Sequence, residues 1–167
     1  GLRYKPLREY NVHLGVERLF KIGRRAEDNW LLRVLGSVAD GTDVRLKEPL
    51  YNYTLLYVEG AHYTDKPSRS MLYGEARQGL TLNHDDRFFF RPHVFAAARV
   101  WSPDRDKSSL YEAGPGLTFS WLFNETAYSA PRSSVEVTAQ YRIGQLYNRL
   151  GSAKKSDGVF VTTVLTY

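Results

Sequence analysis

From residue 110 to residue 123 the side chains alternate. Tyr111, Ala113, Leu117, Phe119, Trp121 and Phe123 stand on one side, and Glu112, Gly114, Gly116, Thr118 and Ser120 on the other. A period of two is the signature of a β-strand whose faces meet different surroundings. Such a strand must also find partners for its backbone donors and acceptors. The last ten residues repeat the pattern. Val159, Val161, Thr163, Leu165 and Tyr167 oppose Phe160, Thr162, Val164 and Thr166. A strand that finishes on an aromatic ring suits the closing strand of a transmembrane barrel, where the ring sits at the membrane–water interface. Soluble sheets use terminal strands too, so the rest of the chain has to decide.

The rest of the chain repeats the alternation. In residues 10–20, Tyr10, Val12, Leu14, Val16 and Phe20 oppose Asn11, His13, Gly15 and Glu17. Further strands are expected at 29–38, 50–63, 71–82, 88–101 and 135–145, with a stub at 1–6 that reads as the end of a strand. In 50–63, Glu59 shares a side with Tyr51, Tyr53 and Tyr57, so that strand cannot be oriented from its pattern. Eight strands and a stub result, most of about 10 to 14 residues. Globular strands average five or six, whereas a tilted strand of about 9–11 crosses a bilayer. The expected fold is all-β, an antiparallel up-and-down transmembrane β-barrel. It is either complete at about eight strands or the closing part of a larger barrel.

Composition bears on which face points inward. Tyrosine is the commonest aromatic, with 12 residues against 8 Phe and 3 Trp, and rings make up 14% of the chain. Tyr and Trp favour places with one apolar end and one wet end. Glu17, Arg33, Glu75, Arg77, Arg91, Arg99, Glu112, Glu136 and Arg142 all fall on the polar face, together with the glycines at 114, 116 and 144. Glycine on the polar face fits crowding inside a small barrel. Rings that bracket strands, Tyr10 with Phe20 and Tyr111 with Phe123, resemble paired interfacial girdles. A soluble sandwich would reverse the plan, with the apolar face packed inside. With an inward polar face, the acids and bases of a closed small barrel must pair, because a buried charge without a partner is costly.

Little here suggests chemistry. The chain has no cysteine, which removes disulfides and thiolate metal sites. His13, His62, His84 and His93 show no metal-ligand spacing, and His84-Asp85-Asp86 reads as a polar turn. The Gly114–Pro115–Gly116 run is not a phosphate loop, since no helix follows it. No catalytic residue, metal ligand or cofactor is expected. No apolar run reaches the about 18 residues of a transmembrane helix. No signal peptide opens the chain, so if the protein is exported Gly1 is expected to be a mature or internal start. The net charge of +5 suits anionic partners such as lipopolysaccharide phosphates or acidic glycans. With the final strand ending on the periplasmic side, the loops at 21–28, 64–70, 102–108 and 146–157 face outward. They carry the candidate contacts Arg24, Arg25, Lys66, Arg105, Lys154 and Lys155.

Two runs resemble a known family. Tyr111-Glu-Ala-Gly-Pro-Gly-Leu-Thr-Phe-Ser-Trp-Leu-Phe-Asn124 and Ala130-Pro-Arg-Ser-Ser-Val-Glu-Val-Thr-Ala-Gln-Tyr-Arg142 are similar to the C-terminal domain of bacteriophage adsorption protein A. So are Leu2-Arg-Tyr-Lys-Pro6, Glu17-Arg-Leu-Phe-Lys-Ile-Gly23 and Leu72-Tyr-Gly-Glu-Ala-Arg-Gln-Gly79. The resemblance spans nearly the whole chain and rests on strand-and-turn signatures. It implies a single domain over 1–167, a non-enzymatic β-barrel in the bacterial outer membrane at the end of a longer polypeptide. It implies a phage receptor whose partners are outer-membrane lipid and lipopolysaccharide, a phage tail protein and an inner-membrane glycan-synthesis partner, with no nucleic acid. An envelope exopolysaccharide would be made or exported by that assembly. Two other classes stay open on the residues alone: a small outer-membrane lipid-modifying enzyme and a soluble β-rich binding domain.

Overall fold

In the computed structural model every regular element among the described residues is a strand. The structure describes residues 1–7, 10–23, 28–42, 48–65, 68–85, 87–103, 109–123, 133–147 and 154–166. The strands are β1 (Leu2–Tyr4), β2 (Asn11–Leu19), β3 (Asn29–Asp40), β4 (Leu50–Tyr63), β5 (Arg69–His84), β6 (Phe88–Ser102), β7 (Ser109–Phe123), β8 (Ser133–Tyr147), β9 (Lys154–Lys155) and β10 (Gly158–Thr166). They form one antiparallel sheet in which each strand from β1 to β8 pairs with the next; β10 follows β8, and two-residue β9 also pairs with β8. The longest, β5, has 16 residues.

The expected up-and-down antiparallel order is therefore present. Closure is not: β10 pairs with β8 and not with β1 or β2, so the described residues form an open sheet. β1 covers only Leu14–Val16 of β2, too short a strand to occupy that edge.

Register assigns the faces. Phe88, Trp121, Val135 and Leu165 are cross-strand partners in one row, and Phe90, Phe119, Val137 and Thr163 in another. This face is exposed across the sheet, at Leu32, Val34, Leu56, Val58, Leu72, Val94, Val100, Leu117, Ile143 and Val161 among others. The opposite face holds the buried residues Leu31, Tyr51, Tyr53, Ala61, Phe89 and Phe95, along with Thr81, Arg91, His93, Glu112, Thr118, Ser120, Thr138 and Gln140. No second layer covers that face among the described residues. It is buried because the sheet curls onto it. Side chains meet across an intervening strand, as Tyr53 of β4 meets His93 of β6 and Arg142 of β8 meets Phe95 of β6.

The curl sets a size rule along one row. Tyr53, Gly79, His93, Gly116, Gln140 and Phe160 follow one another across β4 to β10. From Tyr53 to Gln140 large and absent side chains alternate, as is common where a small interior tapers. A Cβ built on Gly116 collides with Nε2 of His93. Two prolines sit inside this sheet. The pairing lapses beside each, between Gly79 and Leu82 of β5 opposite Pro92 and between Ala113 and Gly116 opposite β8, because proline brings no ladder donor.

Candidate functional site

The concave face is the densest polar assembly in the described residues. Glu17 of β2 lies 3.3 Å from Nη1 of Arg33 and 3.9 Å from Nη2 of Arg3. Nε of Arg33 is 3.0 Å from Oε1 of Glu59, without the alignment of a hydrogen bond. Glu75 accepts from Nε of Arg77 at 2.5 Å. Glu112 accepts from Nη1 of Arg142 at 3.0 Å. Arg142 is further held by Oε1 of Gln140 and lies over the rings of Phe160 and Phe95, at 4.4 and 5.3 Å. Rings beside a guanidinium supply a quadrupole attraction where water is scarce.

Arg91 is the most enclosed of these cations. Its Nη1 donates to Oγ of Ser120 at 2.6 Å and to Glu136 at 3.3 Å, and its Nη2 donates to the carbonyl of Thr42 at 3.0 Å. The Thr42 contact shows how the chain leaving β3 enters the concave face. Gly41 takes a φ of 69°, and its carbonyl accepts from the buried Thr81 hydroxyl at 2.8 Å. A side chain at Gly41 would collide with the carbonyl of Asn52. Glycine is thus required there for both conformation and close approach. His93 donates from Nδ1 to the Arg91 carbonyl at 2.9 Å, leaving Nε2 to accept from the Gln140 amide at 3.3 Å.

All nine residues expected on the polar face are on it, and eight of them are ion-paired: Glu17, Arg33, Glu75, Arg77, Arg91, Glu112, Glu136 and Arg142. Arg99 is the ninth and stands without a hydrogen bond or ion pair among the described residues. Sequence reasoning missed Arg3 and Glu59 as members. It also missed the two tyrosines that complete the network. Tyr57 donates to Glu59 and Tyr73 to Glu75, each at 2.6 Å. The signal was present as a repeated Tyr-x-Glu spacing, which puts ring and acid on one face of a strand. It also orients β4, with Tyr51, Tyr53, Tyr57 and Glu59 inward.

The convex face carries two bands of rings. At the end of the sheet where β2 leads to β3, Arg18 stacks on Trp30 and Phe20 at 5.4 and 5.9 Å and approaches Asp28 and Asp65 at 3.9 Å each. At the same end Tyr111 and Tyr147 pack at 4.9 Å, with hydroxyls 2.8 Å apart. At the other end Phe88, Phe90, Phe119, Trp121 and Phe123 form a chain of ring contacts of 5.2 to 6.2 Å. Aliphatic side chains fill the interval. Tyr111 and Trp121 are ten residues apart on β7. At about 3.3 Å per residue and a tilt of about 40°, this spacing corresponds to about 25 Å of height.

Of the expected loop contacts, Lys154 and Lys155 form β9 against Gln145 and Leu146 and are exposed. Arg24, Arg25, Lys66 and Arg105 lie outside the described residues. His84, the last residue of β5, and Asp85, in the turn after it, are an exposed pair at 3.2 Å. No group of three or more His, Cys, Asp or Glu side chains able to hold a metal occurs among the described residues.

No curated protein and no solved structure matches this chain. A family model does: the one described as Bacteriophage N adsorption protein A C-term matches residues 1–163, nearly the whole of the sheet just described, and the chain belongs to that family.

Proposed function

We propose that this segment is the membrane-embedded part of a bacteriophage adsorption protein in the bacterial outer membrane. Its convex face would meet lipid, and its loop end would offer the phage tail protein a landing surface. The observation that carries the reading is the polarity of the two faces. Leucine, valine and ring side chains point away from the interior, while arginine and glutamate are paired within it. Ring bands about 25 Å apart fit the interfacial girdles of outer-membrane strands. The lysines of β9 and the loop cations Arg24, Arg25, Lys66 and Arg105 suit lipopolysaccharide phosphates. The segment acts by binding and not by catalysis. A tie to envelope glycan synthesis or export through an inner-membrane partner comes from the family resemblance.

Replacing the loops that carry Arg24, Lys66, Arg105 and Lys154, in cells that still deliver the protein to the outer membrane, should abolish adsorption. Adsorption unchanged after all four replacements would exclude the receptor role for this segment. Recovery of the protein in the soluble fraction would exclude the membrane reading.

A further inference from the structure

We propose that the cavity beside Arg99 on the concave face is a binding site for a single carboxylate group. The five concave-face glutamates, Glu17, Glu59, Glu75, Glu112 and Glu136, each have an arginine partner among the described residues. Five arginines, Arg3, Arg33, Arg77, Arg91 and Arg142, supply them. Arg99 is left over.

Register explains why. Its direct cross-strand neighbours are Tyr73 on β5 and Leu110 on β7, neither of them an acid. The acids on the diagonals are engaged, Glu75 by Arg77 and Tyr73, and Glu112 by Arg142. Nε of Arg99 is buried and makes no hydrogen bond, as is true of Arg33 and Arg91, but those two have carboxylate partners and Arg99 has none among the described residues. A guanidinium nitrogen withdrawn from water without a partner is costly, and an anion is the natural remedy.

A space adjoins it. Tyr73, Ala97, Arg99, Leu110, Glu112 and Arg142 line a cavity of about 290 Å³. That is close to the lower limit for small-molecule sites and gives room for one small ligand. The lining carries two guanidiniums and one carboxylate, a net charge of one positive. Arg142 is fixed by Glu112, Gln140 and two rings, so the free charge is that of Arg99. A carboxylate matches it in charge and in the two-oxygen geometry that a guanidinium fork prefers, whereas a phosphate monoester would bring more than one negative charge. The ring of Tyr73 and the side chains of Ala97 and Leu110 give the carrier of the carboxylate an apolar wall. The site does not rest on the adsorption reading, because it lies on the concave face and not in the loops.

The full chain in detergent micelles, titrated calorimetrically with sodium glucuronate, should bind one equivalent saturably and more weakly as salt rises. Glucose, which lacks the charge, should not bind. The Arg99→Gln variant, checked for retained β-structure by circular dichroism, should bind glucuronate roughly tenfold or more weakly, the loss expected for a hydrogen-bonded charge. No saturable binding by the unaltered protein, equal binding of glucose, or undiminished binding by Arg99→Gln would each overturn the proposal. Tighter binding of inorganic phosphate than of glucuronate would overturn the assignment to a carboxylate.

Discussion

Leu117 tests the proposed surroundings of the convex face most directly. It lies on β7, four residues from Trp121 and six from Tyr111, with its side chain on the convex face and 46% exposed. Along the strand those separations are about 13 and 20 Å, which a tilt of about 40° turns into depths of about 10 and 15 Å. Leu117 is thus close to midway between the ring bands. In water, Leu117→Arg would be an ordinary surface substitution, worth within about 0.5 kcal/mol. At the middle of a hydrocarbon layer the same change costs roughly 2–4 kcal/mol. Val38, near the end of β3 and 64% exposed, is the control, because arginine near an interface costs roughly 0–1 kcal/mol. Reversible denaturant unfolding in phospholipid vesicles measures both. The expected result is Leu117→Arg less stable than Val38→Arg by about 2 kcal/mol or more. Equal stability of the two variants, each within about 0.5 kcal/mol of the parent, would refute the placement of this face in lipid.

Two further substitutions address the concave face. Replacing Arg91 by Met leaves Glu136 and Ser120 without their cation; Glu136 is 37% exposed, so the cost falls below the range for a buried pair and should be about 2 kcal/mol. Adding Glu136→Gln should recover part of it, and strictly additive effects in the same unfolding assay would deny the pair any coupling. Gly116→Ala drives a methyl into Nε2 of His93 and should cost about 1–3 kcal/mol, whereas Gly60→Ala, which meets nothing within 4 Å, should be neutral or stabilising by up to about 1 kcal/mol. Equal thermal midpoints for the two alanine variants would refute the size rule along the row.

The strands were legible in the sequence because each announces itself through its own alternation. β4 appears over the residues expected, and β5 and β8 extend the expected 71–82 and 135–145 by two residues at each end. The charged face was legible for the same reason. What the pattern could not supply was partnership. Arg91 and Glu136 are 45 residues apart. They meet only because β7 sets the register of both flanking strands, putting Ser120 between Phe89 and Glu136. Arg99 reads from sequence like any other arginine of the face, and only register places it between Tyr73 and Leu110. β9 was invisible because two residues are too few for a period. Closure depends on edges, about which alternation within a strand says nothing, and here the edges of β1 and β10 stay apart.

The two faces also constrain each other. Burial of apolar area is the main favourable term in folding, and a large apolar side chain gains roughly 1.5–3 kcal/mol when fully removed from water. On this sheet Val34, Leu72, Val100, Ile143 and Val161, among many others, are left outside. Glu112 and Arg91 are placed inside instead, where desolvation costs what pairing recovers. A chain that folded in water on this plan would forgo its chief driving force on one face and make no net gain on the other. Soluble monomers rarely expose a contiguous apolar patch larger than a few hundred Å², whereas exposed large apolar side chains occur here on every strand from β2 to β8 and on β10. The arrangement becomes favourable once an apolar medium covers the convex face. The interior need then only satisfy its own charges, which the arginine and glutamate pairs do at every described glutamate of that face and which the cavity at Arg99 leaves for a ligand to complete.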